Sequence, residues 1–154
     1  MKAIHQIIAA ATLAFVQPAQ AGINDPEVII YRGSGVLDTG GGDHTGAGTV
    51  IYCTNFSGVT ESIRFVIRDN DSTIVANVPL PIPHLFTGTV MTKGGFIYSG
   101  ISLGTGIIKQ GTVAIAATSI NVTCTAMQFD ASAPSLQTAV LHMTRFNPIA
   151  GTQE

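Results

Sequence analysis

The stretch SIRFVIRDNDSTIVANV, Ser62 to Val78, reads as two strands joined by a tight turn. Ile63, Phe65 and Ile67 alternate with Ser62, Arg64 and Arg68, a period of two that sends one set inward and the other to water. Asp69-Asn70-Asp71-Ser72 follows, and such residues bond to their own backbone and tolerate positive φ. Alternation resumes from Thr73, with Ile74, Ala76 and Val78 expected on one face.

Outward from this hairpin the chain keeps the same grammar of short β-rich runs between Gly, Asn, Asp and Pro. Val28–Leu37 is interrupted by Gly33 and Gly35, which marks a bulge or a switch between sheets. Thr49–Thr54 is short and clean. Pro79, Pro81 and Pro83 cannot donate to a central ladder, so that segment belongs at an edge or in a polyproline connection. His84–Met91, Phe96–Leu103, Thr112–Ala117, Ile120–Phe129 and Thr138–Phe146 complete the expected strands, and Ala131–Leu136 reads as one helical turn. There is no internal repeat and no linker, so residues 22–147 form one all-β domain, with a loose tail over 148–154.

Residues 1–21 are read apart from the fold. Lys2, an apolar run from Ile7 to Val16, Pro18 and the small-x-small site Ala19-Gln20-Ala21 have the layout of a secretory signal peptide. The run is far shorter than the ~20 residues of a spanning helix. The expectation is export to the periplasm or beyond, with no transmembrane span in the mature chain. Charged residues are only 10% of the sequence. No basic cluster is present, which argues against nucleic acid as a partner.

Cys53 and Cys124 are the only cysteines. In an exported chain they are expected to pair. Cys53 shares a face with Thr49 and Ile51, and Cys124 with Ile120, Val122 and Ala126, so both thiols point with apolar neighbours into one core. A bond closing about 70 residues stabilises by roughly 4 kcal/mol in the chain-entropy description. With no histidine at ligand spacing, the pair is not a zinc site.

One early and one late cysteine strand tied through a core resembles the immunoglobulin-like fold. The resemblance implies an antiparallel sandwich of about 7–9 strands with an inter-sheet Cys53–Cys124 bond. It departs from antibody-type domains in having no Trp, and Val122 stands where a tyrosine corner would place Tyr. Generic bacterial exported sandwiches are the nearer likeness, and the fold alone does not assign a role.

Candidates for chemistry are few. Asp38-Thr39-Gly40, after Val36-Leu37, resembles the catalytic triplet of aspartic proteases, in which two carboxylates share a proton and activate water. The apolar-apolar-Gly element of that family is missing; Ile107-Ile108-Lys109 comes nearest. Gly40–Gly48 is glycine-rich but lacks the Lys and Ser/Thr of a phosphate loop. Within it, Asp43 and His44 are candidates for half a metal site or an acid/base pair, His44 ranking after Asp38 as a catalytic candidate. The competing reading of the loop is a solvated strand connection. His84 and His142 are read as structural residues on strands. Asp69 and Asp71 lack the Gly and closing Glu of a calcium loop. The sequons at Asn55 and Asn121 are read as unmodified.

No cofactor and no metal are expected. The reading is an exported, non-enzymatic β-sandwich that binds, adheres or builds, with protein or glycan at the cell envelope as partner. The alternatives are an aspartic-protease-like hydrolase using Asp38 and a small outer-membrane barrel, the latter disfavoured by the scarcity of aromatic residues.

Overall fold

The Ser62–Val78 hairpin forms as expected. In the computed structural model, which describes residues 26–133 and 138–146, β3 (Glu61–Arg68) pairs antiparallel with β4 (Ile74–Ile82). Ile63, Phe65 and Ile67 are fully buried. Carboxylates hold the turn: Asp71 Oδ1 accepts from Thr73 N at 2.9 Å, and Ser72 takes φ 72°. One expectation changes here. A register slip between Ile67 and Arg68 turns Val75 toward the core and leaves Ile74 47% exposed. An extra residue in one strand reverses the parity beyond it.

Pro79 and Pro81 extend β4 rather than ending it, opposite Arg64 and Ser62. β4 pairs only with β3, so the missing N–H groups fall on the free edge, where they also block further strand addition.

The remaining strands are β1 (Val28–Asp38), β2 (Ala47–Asn55), β5 (Thr87–Met91), β6 (Ile101–Ser102), β7 (Ile108–Ala117), β8 (Val122–Asp130), β9 (Thr138–Leu141) and β10 (Met143–Arg145). They assemble into two five-stranded sheets, β10-β1-β7-β3-β4 and β6-β5-β2-β8-β9, antiparallel except for the short β5–β6 pair. The described residues therefore hold ten strands where 7–9 were expected. β1 keeps to one sheet and bulges at Gly35, whose φ is 91°. The switch between sheets occurs instead inside the stretch read as one strand over 138–146: β9 lies in one sheet, β10 in the other, with His142 between them. Ala131–Ala133 form a turn without helix, and the rest of that expected helical turn lies outside the described residues, as do the expected signal segment over 1–21 and the tail from Pro148.

Inward residues of both sheets make one core, with Ile30, Phe65 and Ile115 from one layer meeting Ile51, Val90 and Val122 from the other. The all-β sandwich follows from this two-layer burial. Among the described residues both sheets have free edges and an apolar interior, whereas the barrel alternative requires one closed sheet, in porins around a polar lumen.

Cys53 and Cys124 are bonded and face this core, 0% and 6% exposed. The bond does not join the two sheets, as the immunoglobulin resemblance implied. The cysteines sit directly opposite each other on neighbouring strands β2 and β8 of one sheet, their Cα atoms 4.2 Å apart. That separation is near the value for a non-hydrogen-bonded antiparallel pair, where side chains approach most closely. Residue alternation identifies the face a thiol occupies; it carries no information about which sheet holds the strand.

A second apolar cluster covers the outside of the β2 sheet. Val50, Met91, Phe129 and Ala131 are buried there, with Tyr52, Tyr98 and Met127 packed on them. The lid is residues 94–100, which include the first five residues of the strand expected over Phe96–Leu103. Tyr98 meets Phe129 edge-on at 4.8 Å. Gly95 lies so close that a Cβ would stand 2.5 Å from the Phe129 ring. Tyr98 is the lid side chain that packs on the cluster, Phe96 and Ile97 being exposed, and only Ile101–Ser102 remain as strand.

Candidate functional site

Asp38 ends β1, beside Ile108 of β7, and is 3% exposed. Its Oδ1 accepts from Lys93 Nζ at 2.7 Å and from Gly40 N at 2.8 Å. Its Oδ2 accepts from the Thr105 hydroxyl at 3.3 Å. Lys93 is equally buried, and its other protons go to Gly40 O at 2.6 Å and Thr45 O at 3.0 Å. Each charge thus has an opposite charge plus hydrogen bonds, the condition for tolerating burial. What the pair accomplishes is mechanical: it clamps the loop over 39–46 to the segment after β5.

The loop is built for that clamp. Gly40, Gly41, Gly42, His44 and Gly46 all take positive φ. Thr39 closes its base, donating N–H to Ala47 O at 3.0 Å while its hydroxyl accepts from Ala47 N at 2.9 Å. At the outer side, Asp43 Oδ1 accepts from Gly94 N at 2.5 Å and from the Ser102 hydroxyl at 3.0 Å. The Gly94 amide, then Ser102, then the charges of His44 and Lys93 hold the Asp43 carboxyl below the usual carboxylate range, although it is solvent-exposed. His44 donates its backbone N–H to Gly94 O at 2.8 Å and stacks its ring on Phe96 at 4.4 Å.

The structure therefore brings Asp38, Asp43 and His44 to one end of the sandwich and ties each to the segment 92–106. Two buried charged residues were missed by sequence reasoning, Lys93 at this site and Glu61 away from it. Lys93, in Met91-Thr92-Lys93-Gly94-Gly95, is a lone cation in an uncharged stretch; that isolation was the available signal, but its counterion lies 55 residues earlier. Glu61 is fully buried, accepts from the Thr118 hydroxyl, and leaves its second oxygen without a partner among the described residues. Among those residues no three His, Cys, Asp or Glu side chains converge as metal ligands.

Other candidates fall elsewhere. His84 lies in the β4–β5 turn, not on a strand, and its Nδ1 accepts from Gly58 N at 3.0 Å. His142 is exposed at the break between β9 and β10. Asn55 is buried and fully engaged: Nδ2 donates to Val59 O and Ile82 O, both at 2.7 Å, while Oδ1 accepts from Ser57 N at 2.8 Å. Asn121 is exposed.

The opposite end of the molecule is apolar at its tips. Phe56, Leu85, Phe86 and Ile120 are 46–64% exposed. Backbone bonds hold three of their loops together: Leu85 N donates to Asn55 O, Asn55 N to Phe86 O, and Phe56 N to Asn121 O. Leu85 adopts φ 63°, a conformation that is costly for a bulky residue.

Fold and site together define a two-sheet antiparallel β-sandwich with an intrasheet disulfide and a glycine-rich loop clamped by a buried ion pair. No family model matches the chain, and neither does any curated protein or solved structure.

Proposed function

We propose that this chain is an exported, non-enzymatic β-sandwich that binds a partner outside the cytoplasm. One observation carries the reading. Asp38, the leading catalytic candidate, spends both carboxylate oxygens on Lys93, Gly40 and Thr105 inside the protein. An aspartic hydrolase needs a carboxylate open to water and substrate, paired with a second one. Export is supported by the leader-like residues 1–21 and by the disulfide, which persists in oxidising compartments. No helix among the described residues is long and apolar enough to cross a membrane.

Purified mature protein is expected to show no turnover on protein and glycan panels and to appear in the envelope or medium on fractionation. Hydrolysis by wild type, lost in a folded Asp38→Asn variant, would overturn this reading in favour of an enzyme.

A further inference from the structure

The outer face of the β10-β1-β7-β3-β4 sheet carries an open groove of about 640 Å³. That volume falls in the range of ligand clefts. Its floor is the central strand β7, whose outward side chains there are Thr112, Ala114 and Ala116, with the inward-facing Val113 between them. Arg32 on β1 stands beside Ala114 on one side, with Val66 of β3 on the other. One row along, Thr112 lies between Ser34 of β1 and Arg68 of β3. Small residues on a middle strand between longer ones on its neighbours make a trough; at sheet spacing its walls stand about 10 Å apart.

The charge of the trough is one-sided. Among the described residues, Arg32, Arg68 and His142 line it and no carboxylate does. The chain as a whole is acidic, at net −2. The two ion pairs among the described residues use Arg64 with Glu27 and Lys93 with Asp38, not these arginines. Arg68 donates one N–H to Ser72 O at 2.9 Å, and Arg32 lies over the Phe146 ring at 5.4 Å, so each guanidinium keeps donors for a ligand.

The occupant follows from what the face can offer. β1, β7 and β3 are each paired on both sides, so no free ladder is available to an added peptide strand. Recognition falls to side chains: guanidinium forks that match carboxylates, the Ser34, Thr112 and Thr144 hydroxyls that exchange bonds with sugar hydroxyls, and the Phe146 ring. We propose that this groove binds a carboxylated, uronic-acid-type glycan, with Arg32 and Arg68 each engaging a carboxylate. This deepens the reading of the chain as an extracytoplasmic binder and rests on it.

The probe is a hexamer of galacturonic acid, titrated calorimetrically into the mature protein at low ionic strength. Expected is saturable binding that weakens with salt and falls at least tenfold in both Arg32→Ala and Arg68→Ala. Lys109→Ala, an exposed cation outside the groove, should leave it unchanged. Ala114→Phe, which fills the floor from the outside, should abolish it while thermal unfolding shows the fold retained. The proposal is overturned if the acid hexamer does not bind, if its methyl ester or poly-glutamate binds as well, or if Lys109→Ala weakens it as much as the arginine variants. None of those results bears on whether the chain is a catalyst, whereas cleavage of the hexamer would overturn the broader reading as a non-enzymatic binder.

Discussion

The two outer faces of this sandwich are treated in opposite ways. Over the β2 sheet, the chain folds residues 94–100 back onto Tyr52, Met91 and Phe129, and locks the lid at its root with Lys93 and Asp38. Over the β7 sheet, nothing among the described residues covers Ala114, Ala116 and Thr112, and arginines stand at the sides. The difference lies in side-chain chemistry at equivalent outward positions. Large apolar residues left on a sheet face cost hydration free energy until something covers them. Alanine, threonine and arginine cost little in water and leave a face available for a partner.

The largest effect should come from the disulfide, which ties the covered sheet through β2 and β8. A Cys53→Ala/Cys124→Ala variant is expected to lose about 4 kcal/mol in urea unfolding, since 71 residues separate the two cysteines. A loss below about 1 kcal/mol would mean the unfolded chain is already restrained there.

Next comes the clamp. Lys93→Met leaves the Asp38 carboxylate buried with only Gly40 N and the Thr105 hydroxyl, and should cost about 3 kcal/mol. The double variant Asp38→Leu/Lys93→Met should recover part of that, because no unpaired charge remains. If the double variant is worse than Lys93→Met by more than about 1 kcal/mol, Asp38 stabilises through Gly40 and Thr105 beyond compensating the Lys93 charge.

Removing the lid aromatic tests the covering directly. Tyr98→Ala should cost about 2 kcal/mol through lost burial and its edge-on contact with Phe129. It should also release Tyr52, whose phenol is pushed up to about 12 by burial and secondarily by Tyr98. In wild type the unfolded chain loses that proton near pH 10 while the folded chain retains it. Tyr52 therefore contributes stability below pH 10 that is lost as pH rises toward 12. Ultraviolet titration of the variant should show Tyr52 ionising nearer the ordinary tyrosine value; no change would contradict the lid.

The smallest effect is at the loop rim. Ser102→Ala removes one donor from Asp43, so its carboxyl titration, followed by NMR, should move up toward the ordinary range. Gly94 N–H remains the main cause of the depression, and stability should stay within about 0.5 kcal/mol.

These regions also differ in how far they were legible. The Ser62–Val78 hairpin, the bulge at Gly35, the proline edge and the cysteine pairing rest on local signals: alternation, a positive φ, a missing donor, a shared face. Sheet membership did not. β2 and β8 are neighbours because of contacts across 71 residues, and no spacing within either strand records that. Phe96–Leu103 has strand composition throughout, but only Ile101–Ser102 pair as strand, and the closeness of Gly95 to Phe129 shows why the lid lies flat. At the candidate site, Asp38, Asp43 and His44 were found by residue type, but their roles depended on Lys93 and Gly94, brought in from a distant segment.

Hydroxyl-radical footprinting of the folded protein tests the unequal faces most directly. Met91 and Phe129, 3% and 2% exposed, should be protected, while Ile29 at 37% and Phe146 beside the groove should be modified. Modification of Met91 and Phe129 as fast as Phe146, in protein whose disulfide is intact, would contradict the account.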